Sequence, residues 1–151
     1  MKSEFNILKT SRILLLKAIE ELTLEQLHTI PKDSKNNIIW NVVHLLVTQQ
    51  LLHYKFSGIN CLIPDDIIEK HRKGTSPTKQ FSASEFEEIK ELFVGLPDTL
   101  QEDYETGIFE NYIEYKTSTG FVIDSMDAAI AFNNFHEGVH FGIILGLKKL
   151  I

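Results

Sequence analysis

The segment "FHEGVHFG", residues 135–142, sets two histidines four positions apart with a glutamate directly after the first. On a helix that spacing separates His136 and His140 by about 40° of arc and about 6 Å along the axis, so both imidazoles can reach one ion. The pattern matches the H-E-x-x-H of zinc peptidases, where the glutamate is the general base. Such enzymes need a third ligand downstream. In one class a glycine and then a histidine follow, but the corresponding positions here are Ile143 and Gly146. In the other class the ligand is a glutamate much further on. Only eleven residues follow His140, and none is Asp, Glu or His. The peptidase reading fails on ligand supply. Glu137, about 100° from His136 around the helix, then reads as a flank residue and not as a base.

The same helical wheel puts Ala129, Asn133, Ile143 and Leu147 beside the two histidines, so the pair is expected to face a core. A buried imidazole needs partners for its ring nitrogens. Two readings stay open at this point. Each ring is satisfied by a backbone carbonyl or an amide, with Asn133 at hand, or the pair joins a third ligand around a metal. Of the other histidines, His28 and His71 lie in polar, loop-like sequence and read as surface residues. His44 shares a face with Trp40, Val47 and Leu51, whereas His53, about 180° round, reads as solvent-facing. His44 is therefore the best third ligand. Three neutral imidazoles around an open position can acidify a bound water near neutral pH, a donor set that suits zinc, nickel or iron.

Helices must carry these residues. Phe5, Leu8, Leu15, Ile19 and Leu22 recur at spacings of three and four, predicting an amphipathic helix over 5–22 whose stripe is broken only by Arg12. A polar loop with Pro31 follows. Asn36 or Asn37 caps a second helix that runs to about Ser57, where Gly58 stops it. Residues 58–82 form a long irregular connection, with one short helix expected in "PDDIIEKH". "SASE" is a capping box for a third helix, bent or ended near Pro97. An extended stretch is expected around Thr119-Gly120, and Asp124 or Ser125 caps the last helix. The sum is one all-α domain spanning 1–151, a four-helix bundle with long connections after its second and third helices.

Composition narrows the partners. The 151 residues include 15 basic and 21 acidic side chains, a net charge of −6 without a compact basic stripe, which argues against nucleic acid. No run is long and apolar enough for a membrane helix, and the first residues lack a small-residue cleavage site. Cys61 is the only cysteine, which suits a reducing cytoplasm. Gly138, Gly142 and Gly146 recur every four residues, predicting a close packing partner on that stripe: a neighbouring helix of the chain or a second copy in a homodimer.

Together "NNIIWNVVHLLVTQQLL", "NNFHEGVHFG" and the loop "RKGTSP" resemble the DinB/YfiT-like superfamily of four-helix bundles. Trp40 four residues before His44, the pair His136/His140, and Gly142 two beyond it carry the likeness, which extends over nearly the whole chain. The resemblance implies a divalent-metal site built from His44, His136 and His140. It also implies an enzyme of small-molecule chemistry: transfer involving a low-molecular-weight thiol, or hydrolysis. Family members are often homodimers. A non-catalytic metal-binding or stress-response module is the alternative. Many members carry Gln where this chain has Ile143, so whatever that Gln does is absent or done otherwise here. Tyr112, Tyr115 and Lys116 are candidates to line a pocket, or else belong to an exposed hairpin.

Overall fold

The computed structural model describes residues 1–151. Six α-helices run in the order α1 (Lys2–Ile19), α2 (Leu24–His28), α3 (Ile38–His53), α4 (Asp65–His71), α5 (Ala83–Thr106) and α6 (Met126–Lys148). Two short strands, β1 (Tyr115–Lys116) and β2 (Val122–Ile123), form an antiparallel hairpin before α6. The four long helices make the bundle: α1 and α3 each pack against both α5 and α6. The fold is all-α, as the sequence pattern predicts.

Local chemistry explains most of the boundaries. Asn37 caps α3 by accepting from the Trp40 amide, and Ser125 caps α6 by accepting from Ala128. Ser82 and Glu85 form a reciprocal capping box on α5. After α3 the chain tightens into a 3-10 turn (Lys55–Ser57) and leaves through Gly58 in the left-handed region, φ 75°. The hairpin turns at Gly120, φ 93°, where a side chain would be strained. One short helix, α2, was not expected. Thr23 and Gln26 cap it reciprocally, so "TLEQ" carried the signal for it within a stretch that reads as polar loop.

Two expectations need correction. First, α5 does not end near Pro97 but runs from Ala83 to Thr106. A proline inside a helix removes one amide donor and leaves the carbonyl four residues earlier without its partner. That carbonyl is Phe93 O, and it accepts from Arg12 Nη1 at 2.9 Å. Second, α3 has no solvent-facing side: fourteen of its sixteen residues are buried. A helix apolar all round lies at the centre of a fold, so the one-face wheel that placed His53 in solvent does not apply. His53 is fully buried, with Nδ1 2.7 Å from Gln49 O.

Arg12 sits in the middle of the bundle between two apolar clusters, one including Leu15, Phe93 and Ile144, the other Leu8, Leu100 and Ile130. From α1 its guanidinium reaches the other three long helices. It donates to Glu137 Oε1 on α6 at 2.6 and 3.0 Å, to Gln49 Oε1 on α3 at 2.8 Å, and to Phe93 O on α5, and it lies 4.3 Å from the Phe93 ring centroid. Arg12 is 0% exposed and Glu137 2%. Glu137 is thus no flank residue: it is held in a buried ion pair, which fixes the rotation of α6 next to His136.

The glycine stripe of α6 meets no intrachain neighbour. A methyl group placed at Gly138, Gly142 or Gly146 would find nothing within 4 Å, so no helix of this chain packs closely there. The face is open and carries exposed Phe135, Val139, Ile143 and Leu145. Ile143, expected beside the histidines, belongs to this outer surface.

Candidate metal centre

The cap at Asn37 and the apolar run after it set α3 so that Trp40 and His44, one turn apart, face α6. Their rings stack at 4.7 Å and 8° between planes. On α6, Ser125 sets the start and the Arg12–Glu137 pair sets the roll. His136 and His140 then meet His44, with ring centroids 4.5 Å apart between themselves and 5.2 and 4.8 Å from His44. One ring nitrogen from each of the three lies within 4.8 Å of the others, a group that could hold a metal ion.

Hydrogen bonds select the tautomers of two of these rings. His44 Nδ1 lies 2.6 Å from the His71 carbonyl, which can only accept, so Nδ1 carries the proton and Nε2 keeps its lone pair. Thr48 Oγ1 lies 3.4 Å from that Nε2. His140 Nδ1 lies 2.8 Å from Asn41 Oδ1. The Asn41 amide is itself oriented, because its Nδ2 donates to Asn37 O at 2.7 Å. His140 therefore also presents a free Nε2. A line of amides links Asn37, through Asn41, to His140, and Asn37 Nδ2 in turn donates to His28 O. His136 Nδ1 is buried without a partner. Asn133 does not supply one: its side chain is buried and likewise unpartnered.

Burial keeps all three rings neutral. It pushes His136 down to about 3 and His140 to about 4, with repulsion from the neighbouring imidazoles adding to both. His44 is also lowered, chiefly by burial, against an opposing pull from the His71 carbonyl. Metal ligation requires unprotonated imidazole, and these surroundings provide it at neutral pH. The donor set, its neutrality and the bonded outer nitrogens all fit a divalent transition metal.

The triad lines a cavity of about 550 Å³. Residues of both long connections complete it, including Lys73 and Gly74 before α5 and Tyr115 and Thr117–Thr119 of the hairpin segment. Tyr115 is the one member of the trio Tyr112, Tyr115 and Lys116 that reaches it. Tyr112 instead donates to Leu52 O at 2.9 Å, and burial raises its phenol to about 12. Cys61 lies outside the cavity, its thiol pushed up by burial.

The remaining histidines depart from expectation. His71 is buried and supplies the carbonyl that orients His44. His28 is half-buried, and its Nε2 accepts from the Phe81 amide at 3.1 Å. Asn41, which orients His140, shows in the sequence only as a lone amide within the apolar run "IIWNVVHLLV".

These features define a class: a four-helix bundle with three histidines converging from two facing helices onto one cavity. The family model of the DinB superfamily matches residues 7–144, and the chain belongs to that superfamily. No curated protein matches it.

Proposed function

We propose that this protein is a metalloenzyme that binds one divalent cation through His44, His136 and His140 and transfers a low-molecular-weight thiol onto a small-molecule acceptor. The observation that carries the reading is the convergence of three neutral imidazoles, two with unprotonated Nε2 atoms, on an apolar cavity. A cation held by three imidazoles with an open coordination position supplies Lewis acidity and lowers the pKa of a thiol or water. The chain's own residues prepare that position. The His71 carbonyl and Asn41 hold two ligand tautomers, Trp40 braces the His44 ring, and Phe121, Phe132 and Phe135 form an aromatic cluster along the cavity wall.

Transfer is favoured over hydrolysis by what lines the cavity. It contains no carboxylate to serve as a general base toward water, and the nearest in sequence to the triad, Glu137, is engaged by Arg12. Cys61 does not line it, so the thiol would come from a cosubstrate.

Elemental analysis of the purified protein beside His44→Ala and His140→Ala tests the site. One equivalent of metal in the wild type, lost from both variants, is expected. Thiol consumption would then be followed with an electrophilic aryl chloride as acceptor. A wild type that is metal-free and refuses zinc, nickel and iron overturns the reading. A loaded protein without thiol chemistry reduces it to a metal-binding module.

A further inference from the structure

The cavity's charge pattern points to the chemistry of its acceptor. Lys73 is the only charged side chain among the nineteen lining residues. It donates to Ser118 Oγ across the mouth, joining the loop before α5 to the hairpin, and it forms no ion pair, whereas its neighbour Arg72 is paired with Glu69. In a chain of net charge −6, the one cavity beside the histidines thus presents an uncompensated cation. Thr117, Ser118 and Thr119 line it as well, with the Thr117 and Thr119 hydroxyls 3.0 Å apart. The walls are aromatic: Phe56 stacks on Tyr115 at 4.8 Å, and Phe121, Phe132 and Phe135 cluster at 5.3 to 6.0 Å. Trp40 and His44 close the buried end, while Lys73, Ser118 and Phe121 are exposed.

We infer that the acceptor is a small monoanionic amphiphile whose apolar or aromatic body fills the aromatic walls and whose anionic group is held by Lys73 at the mouth. This rests on the cavity being the substrate site of the proposed enzyme. A cavity of about 550 Å³ is the usual size for a small-molecule ligand. A polar thiol gains little from these walls, so the apolar ligand is the acceptor. Lys73 is a specificity residue on this reading, and the metal-binding histidines are a separate group in the same cavity.

Three isosteric probes test it: 4-phenylbutyrate, 4-phenylbutan-1-ol and 4-phenylbutylamine. Trp40 is the only tryptophan and lines the cavity, so its fluorescence reports binding directly. Titrations are run on protein stripped with chelator and on metal-loaded protein. In both, the wild type is expected to bind the carboxylate about fivefold more tightly than the alcohol, and the amine more weakly than either. Lys73→Gln is expected to abolish that preference without changing affinity for the alcohol. Equal binding of carboxylate and alcohol by the wild type overturns the inference, as does a preference that survives Lys73→Gln. A preference seen only with metal places the anion at the histidines and overturns it too, as does no saturable binding of any probe. Failure to take up metal bears on the proposed function alone, because the stripped protein still reports on Lys73.

Discussion

Asn41 and His140 face each other across the bundle, with 2.8 Å between Oδ1 of the first and Nδ1 of the second. The amide is completely buried and accepts from the imidazole only because its nitrogen is already committed to the Asn37 carbonyl. A residue unable to bind metal through its own position thereby decides which nitrogen of His140 is free. Asn41→Leu keeps the branched four-atom shape of the side chain and leaves the His140 N–H unpaired. Metal affinity is expected to fall about 10- to 100-fold, measured by competition with a chromophoric chelator, while the helical circular dichroism stays unchanged.

The Arg12–Glu137 pair makes a strong non-additivity prediction. Arg12→Met or Glu137→Leu alone leaves one charge buried and is expected to cost about 3–5 kcal/mol in urea unfolding. The double variant should recover most of that loss, because the uncompensated charge is gone. Additive losses would show that the two side chains do not act as a pair.

Stability should fall on acidification, and His53 offers a clean reading of it. Burial, opposed by the hydrogen bond to Gln49 O and helped by the Arg12 charge, brings its imidazole from 6.5 down to about 4. Between those values the unfolded chain takes up a proton that the folded chain refuses. The stabilising contribution is therefore complete above about pH 6.5 and is lost as pH falls toward 4. One histidine contributes a slope of about 1.4 kcal/mol per pH unit, up to about 3 kcal/mol across the window. Unfolding free energies of the metal-free protein between pH 4 and 7 are expected to show a shallower slope in His53→Gln, whatever its absolute stability.

Gly142→Ala distinguishes an open surface from a contact. A helix interior prefers alanine over glycine by about 1 kcal/mol, and the added methyl group meets nothing within 4 Å. A melting temperature raised by about 2–4 °C is expected for an isolated chain of this size. A lowered value, together with a change in mass by light scattering, would mean that a second copy packs its backbone against this stripe.

The parts of this fold that could be read from residues alone are those with local causes. Caps at Asn37, Ser82 and Ser125 and the stop at Gly58 lie within a few residues of what they control, so composition and spacing disclose them. The grouping of His44 with His136 and His140 was legible because all three fall on faces that close packing must bury. What escaped depends on tertiary surroundings. His53 looked like a surface residue because a one-face wheel was applied to a helix whose run "IIWNVVHLLV" is apolar all round, and His71 because nothing in its neighbours reveals that α4 folds back onto α3. Ile143 went the other way: the wheel put it inside, yet the glycines beside it belong to an outer face. Arg12 read as an interruption in an apolar stripe, since its partners are 37, 81 and 125 positions away in the chain.

The proline in α5 gives that arginine a history. An amide-bearing residue at position 97 would share the Phe93 carbonyl through the helix ladder, and Arg12 would hold α5 less firmly. Pro97 and Arg12 therefore form a lock and key separated by most of the chain, together with Gln49 and Glu137. A lineage that abandons one member has little reason to keep the others, so homologous chains are expected to exchange the four as a set. Where the set is intact, the roll of α6 that presents His136 and His140 is inherited with it.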